Sequence, residues 1–240
     1  MSEQDIAVVI GVGPGLGAAI GRRFARGGCA VGLMARSEDP LRTIEAEINL
    51  SGGRALAMTV DAADQTSLAA AFACVRDVLG APTALIYNAG AFVAGGILDI
   101  EAAALERVWR TCCYGAFLAT REVLPAMRQR GRGTLLYTGA PASVHGVKNL
   151  YTLAIGKFGL RALALGLAKE CGPDGIHVAH VIVHGAIDNE RTRARFPHLT
   201  ASQRMAPETI AETYWQLHVQ RPDAWTQELD VRPADDPFGF

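Results

Sequence analysis

Short apolar runs alternate with longer amphipathic stretches along nearly the whole chain. Runs at 6–10 (IAVVI), 30–34 (AVGLM), 54–60 (RALAMTV), 83–87 (TALIY), 134–138 (TLLYT), 177–183 (HVAHVIV) and 227–231 (QELDV) read as strands. Several are apolar at every position rather than at every second one. That pattern suits strands covered on both faces, as in a parallel sheet. Helices fit between them. Residues 15–26 carry Leu16, Ile20 and Phe24 on one ridge, and Gly27–Gly28 stops them. Asp39 then Pro40 reads as a cap followed by a first-turn proline, and Asp64 as the cap of a helix over 65–79. Residues 101–130 give one long helix, or a broken one, because Pro125 falls inside. Helices over 152–171, stopped by Gly172–Pro173, and over 207–219 complete the set.

This alternation predicts an α/β fold: a three-layer, doubly wound parallel sheet of about seven strands, Rossmann-type, with right-handed crossovers. No linker, repeat or low-complexity tract divides the 240 residues, so one domain over 1–240 is expected. The least regular segment, 184–206, is charged and contains Pro197. It follows the carboxyl end of a strand, where substrate loops lie in such sheets.

Composition narrows the function classes. With 23 basic and 24 acidic residues and a net charge of −1, nothing points to nucleic acid or an anionic membrane as partner. The start, MSEQDIAVVI, has no basic, apolar leader pattern, and no apolar run approaches a membrane span of about 18 residues. The five cysteines, Cys29, Cys74, Cys112, Cys113 and Cys171, lack CxxC spacing. Neither a disulfide framework nor a metal site is expected, and a reducing cytoplasm is the expected home. Cys112 and Cys113 lie mid-helix among apolar residues and read as buried small hydrophobes rather than nucleophiles.

The chemistry begins at Gly11-Val-Gly13-Pro-Gly15-Leu16-Gly17, between the first strand and the first helix. Glycines there let the backbone turn sharply and let a pyrophosphate approach, while the helix start offers free N–H groups. G-x-G-x-x-G fails because position 16 is leucine. G-x-x-x-G-x-G fits through Gly11, Gly15 and Gly17, and G-x-G-x-G fits through Gly11, Gly13 and Gly15. The first spacing resembles that of short-chain dehydrogenases, the second that of adenosylmethionine-dependent methyltransferases, and this loop alone leaves both open.

Further landmarks separate them. Asn88-Ala89-Gly90 follows the fourth strand, Asp61-Ala62 the third, and Lys157 lies in the helix after the fifth. HGAIDN, 184–189, and Ala206-Pro207-Glu208 come next in order. In order and spacing, over roughly 5–232, these resemble the short-chain dehydrogenase/reductase family. The second strand ends in Arg36, where a methyltransferase would carry an acid for the ribose hydroxyls. An acid there would also suit NAD(H), whereas arginine can fork onto the 2′-phosphate of NADP(H), so NADP(H) is favoured over NAD(H). The resemblance implies a cofactor site of Gly11, Gly13, Gly15, Leu16, Gly17, Arg36, Asp61, Ala62, Asn88, Ala89, Gly90, Lys157, Gly185, Ile187 and Asn189.

The resemblance also implies a catalytic tyrosine four residues before the lysine, a serine thirteen before that, and an asparagine in the preceding long helix. Lys157 is present, but those positions hold Leu153, Ala140 and Cys112. A shifted register pairing Thr138 with Tyr151 puts Ile155, not lysine, four residues on. Substitute proton donors are Tyr151, His145, His184 and Lys157 itself. Two functions follow: an atypical oxidoreductase, or a non-catalytic dinucleotide-binding sensor or partner subunit. By the same resemblance, helices 101–130 and 152–171 form a homodimer or homotetramer interface. Phe238 and Phe240, in the final DDPFGF, could dock on a neighbour.

Overall fold

The computed structural model describes residues 4–236; Phe238, Phe240 and the first three residues lie outside that range. Seven strands form one parallel sheet: β1 (Ile6–Ile10), β2 (Ala30–Ala35), β3 (Arg54–Thr59), β4 (Ala84–Tyr87), β5 (Gly133–Gly139), β6 (Ile176–Val183) and, last in sequence, a strand at Glu228–Val231. Two short strands precede that last one, β7 (Ala186–Ile187) and β8 (Arg204–Met205), so it is β9. The order is β3-β2-β1-β4-β5-β6-β9, a doubly wound sheet whose order reverses between β1 and β4. Ligands in such sheets bind outside the carboxyl ends of the strands at that reversal.

The continuous apolar runs have a simple cause. In β1, Ile6, Val8 and Ile10 face one core and Ala7 and Val9 face the other. Helices α3 (Gln65–Val78), α5 (Gly115–Arg130) and α6 (Tyr151–Cys171) cover the first face. Helices α1 (Leu16–Arg26), α2 (Glu38–Leu50) and α8 (Pro207–His218) cover the second. α6 is long and apolar enough to cross a membrane by length and composition alone; it packs on β6 and carries the buried Lys157.

One helix start differs from expectation. α2 begins at Glu38, with Ser37 and not Asp39 at the cap position, and Pro40 is its third residue. Proline is harmless there because none of the first N–H groups has a partner within the helix. Asp64 does cap α3, accepting from the Ser67 N–H at 2.7 Å. The stretch 101–130 is one continuous rod: α4 (Ala102–Trp109), a π-helical turn at Arg110–Tyr114, then α5. Pro125 does not break it, because residues 121 and 125 are both exposed and water can take the freed carbonyl. Segment 184–206 is more ordered than its composition suggests, holding β7, α7 (Glu190–Arg195) and β8.

Candidate functional site

At the carboxyl ends of β1, β2 and β4 the glycines of the first turn do different jobs. Gly11 has φ +95°, and a Cβ there would stand 2.4 Å from the Ala89 nitrogen. A Cβ on Gly17 would stand 2.5 Å from the Gly11 carbonyl oxygen. Both positions are closed by backbone packing. Gly13 has no atom within 4 Å of its would-be Cβ, so its backbone is bare toward the cleft. Asn88 ties β4 to the turn, its Nδ2 donating to the Gly11 carbonyl at 2.9 Å. α1 starts without a side-chain cap and without an acid in its first turn. Its free N–H groups and positive dipole end are left for an anion.

A cleft of about 400 Å³ runs over this turn. Of the residues singled out from sequence, Gly11, Gly13, Arg36, Asp61, Ala62, Asn88, Ala89 and Gly90 line it. Leu16 is 5% exposed, its side chain in the core beneath α1, so only its backbone can serve the site. Asp61 is held at the rim: its carboxylate accepts the Ala63 N–H at 2.9 Å, and its own N–H donates to Ser67 Oγ at 3.2 Å. Arg36 is exposed and makes no ion pair among the described residues. Ser37, Thr111 and Arg191 also line the cleft. Little in the linear pattern marks them, save that Ser37 adjoins Arg36.

Lys157 is 5% exposed, with Nζ donating to the Thr138 carbonyl at 2.6 Å, and a Cβ on Gly90 would stand 3.6 Å from that Nζ. Burial holds its ammonium below the usual lysine range. Leu153, one helical turn earlier, lines a second pocket beside the cleft. Ala140 follows the end of β5, and its N–H donates to Ser143 Oγ at 3.1 Å. That hydroxyl is fully buried and does not stand in for a pocket serine. Cys112 sits in the π turn, fully buried, exchanging 3.4 Å hydrogen bonds with the Ala91 N–H and carbonyl. Burial pushes the neighbouring Cys113 thiol up, which suits a packing residue and not a nucleophile.

Apart from Lys157, the substitute proton donors lie elsewhere. Tyr151 starts α6, 36% exposed, outside the lining of either pocket. The Thr138 hydroxyl bonds Tyr214 at 2.7 Å on the opposite face, so Thr138 and Tyr151 are not brought together. His184, 2% exposed, turns Nδ1 toward Asp230 at 3.2 Å, away from the pocket wall. His145 is exposed and lines neither pocket.

The second pocket, about 470 Å³, is walled by Phe92, Leu150, Leu153, Ile187 and Phe196, with Gly185 and Asn189 among its other lining residues. Gly185, Ile187 and Asn189 thus lie here and not in the first cleft; Arg191 lines both. Asn189 caps α7, accepting the Thr192 N–H at 2.9 Å, and a Cβ on Gly15 would stand 3.5 Å from its Nδ2. Thr152 straps the loop carrying Phe92 onto α6, its hydroxyl bonding the Val93 N–H and carbonyl at 3.0 and 2.9 Å. Among the described residues no group of three potential metal ligands occurs.

Comparison with known proteins fits this geometry. A 2-(S)-hydroxypropyl-CoM dehydrogenase of Xanthobacter autotrophicus is 26% identical over 176 residues, 73% of this chain and 69% of that protein. A short-chain dehydrogenase from Rhodopseudomonas palustris superposes with a TM-score of 0.84 at 33% identity, covering 97% of this chain and 100% of that one. A metagenomic short-chain oxidoreductase, solved in complex with NADP, superposes at 0.83 with 27% identity, over 98% and 99% of the two chains. The model of the short chain dehydrogenase family matches residues 5–200, which takes in the glycine turn, the Asn88 segment, Lys157 and the pocket wall through Phe196, and the chain belongs to that family.

Proposed function

We propose that this protein binds NADP(H) in the glycine-lined cleft and is an oxidoreductase whose proton donor is not the usual phenol. One observation carries the reading: an open phosphate cradle adjoins a buried lysine, while the two nearest expected hydroxyl positions are aliphatic. The residues fit a dinucleotide. A side chain at Gly13 would fill the space that a pyrophosphate needs, and none is there. Arg36 and Ser37 offer a cation and a hydroxyl for a 2′-phosphate, and Asp61 a carboxylate beside an adenine. The NADP-bound relative supports a nicotinamide coenzyme, and Arg36 supports NADP(H) over NAD(H).

When bound, the coenzyme gives or takes a hydride. The chain must then hold a ribose, exclude water and move a proton. Lys157, whose Nζ stands beside Gly90 and Thr138, anchors the ribose, and its ammonium, made more acidic by burial, is the proton source near it. Leu153, Phe92 and Phe196 keep the adjoining pocket dry. Segment 184–206 serves as the substrate loop. The chain works as a cytoplasmic homodimer or homotetramer through α4–α5 and α6, with its described cysteines unpaired.

A second reading, a dinucleotide-binding sensor or partner subunit without turnover, is favoured by Ala140 and Leu153. Both readings require coenzyme binding, and only the first requires turnover. Thermal melts with NADPH and NADH test the shared part. Coenzyme at 100 times its dissociation constant stabilises by about 2.7 kcal/mol. NADPH should shift the melt more than NADH, and Arg36→Asp should reverse that order. No shift with either coenzyme would sink both readings. Substrate-dependent loss of NADPH absorbance separates them.

A further inference from the structure

The charges around the apolar pocket are uneven. α7 carries arginines at every second position: 191, 193 and 195. Arg193 forks onto Asp188 at 2.8 and 2.9 Å, and Arg204 reaches the same carboxylate at 3.0 Å. Asp188 is thereby used twice, and its pKa is held down by Arg193 and Arg204. Arg191 and Arg195 have no carboxylate within ion-pair distance among the described residues, and both line the pocket. Among the described residues no acidic one lines it.

Arg195 is nevertheless placed. Its guanidinium carbon stands 5.1 Å from the centre of the Phe92 ring and 5.4 Å from that of Phe196. Aromatic faces fix the plane of a guanidinium without neutralising it, and leave its N–H edges free to fork onto two oxygens. Arg195 is itself exposed, so an apolar group lying in the pocket would have to exclude water around its guanidinium for the charge to act through a lower dielectric. A neutral polyol would gain little here, because the side-chain walls offer few hydrogen-bonding groups besides Asn189 and Thr192.

We propose that the second pocket takes an organic anion: an apolar chain or ring lying against Phe92, Leu150, Leu153 and Ile187, with a terminal oxyanion forked by Arg195. Arg191, shared with the cleft, adds positive potential at the junction. This assigns a substrate class and rests on the reading of the neighbouring cleft as the coenzyme site. Arg195 is then a specificity residue that touches substrate far from the reacting carbon.

The test is calorimetric titration of the full chain, with and without saturating NADPH, using octanoate, octyl phosphate and the neutral octanamide as probes. At least one anion should bind about tenfold or more tightly than the amide, the scale of one charge-assisted fork. Whichever anion is preferred identifies the terminal group as carboxylate or phosphate. Arg195→Met should abolish the preference, Arg195→Lys should retain part of it, and NADPH affinity should stay unchanged in both. Added salt should weaken the anions and spare the amide. Equal binding of amide and anions, or a preference surviving in Arg195→Met, overturns the proposal. The coenzyme reading fails separately: Arg195-dependent octanoate binding in a protein that ignores NADPH would leave this pocket assignment standing and remove the one beside it.

Discussion

Leu153 stands one helical turn before Lys157, on the side of α6 that faces the apolar pocket, and has no proton to give. Supplying one is therefore a direct trial of the site. Leu153→Tyr combined with Ala140→Ser should raise NADPH-dependent carbonyl reduction by on the order of 10² or more, the usual worth of a positioned acid. Tyr151→Phe should leave the rate unchanged, since Tyr151 lines neither pocket. A double variant that binds NADPH yet gains nothing would show that the pocket faces no reacting carbonyl. The glycines permit a second comparison. Gly13→Ala places its methyl in open space, so the melt should hold while NADPH affinity falls about tenfold or more. Gly11→Ala meets the Ala89 backbone in a left-handed conformation, so it should destabilise the fold by about 2 kcal/mol or more. Equal losses of stability in both would contradict the division of labour in the turn.

At the scale of elements, the site depends on how closely α6 approaches the rod of α4 and α5. A Cβ on Gly156 would stand 2.7 Å from the Cys112 Cβ, and one on Gly159 2.9 Å from the Cys113 Sγ. Small residues on both sides let the backbones come together at the π turn, and π turns often occur where helices serve a site. This contact sets the height of Lys157 above the end of β5. Gly156→Val should cost about 1–3 kcal/mol by overpacking and should weaken coenzyme binding as α6 is displaced. Gly166, in the same helix, has nothing within 4 Å of its would-be Cβ, so Gly166→Ala should stabilise by about 0.5–1 kcal/mol. Urea unfolding of the two variants reads both effects. Similar signs for the pair would show that propensity, and not close approach, governs this helix.

Across the whole molecule, stability should respond to acid through buried histidines before the carboxylates respond. His180 is fully buried on β6, with Nδ1 3.0 Å from Glu228, and burial lowers its pKa from 6.5 to about 4. Between those values the unfolded chain binds a proton that the folded chain refuses, so stability falls as pH drops below 6.5. From 6.5 to about pH 5 the loss from His180 is about 2 kcal/mol. His177 and His218 shift in the same direction, also by burial. Glu212, lowered to about 2 by Arg23, matters only in stronger acid. His180→Gln should flatten the urea midpoint between neutrality and about pH 5; an unchanged slope would remove His180 from this role. Assembly is the other property at this scale. Phe117, Ile155 and Phe158 are 42%, 48% and 43% exposed on neighbouring helices. Ultracentrifugation should give at least twice the 25.4 kDa of one chain. Phe117→Lys with Phe158→Lys should return the monomer, and a monomeric parent would dismiss the interface.

The order of elements, the two-faced burial of the strands and the glycine turn were legible in the sequence, because each is written locally. A strand buried on both faces must be apolar at every residue, and a turn that meets Ala89 must be glycine at position 11. The shared helix face of Leu153 and Lys157 was legible too, from their spacing of four in one helix. What the chain could not announce is which side chains from distant segments meet. Asp188 takes Arg193 and Arg204 and leaves Arg191 and Arg195 without an acid among the described residues; His184 turns to Asp230 on a strand 46 residues away. Ser37, Thr111 and Arg191 join one cleft from three elements. Those pairings are set by competition for partners in three dimensions, and linear spacing carries no record of that competition.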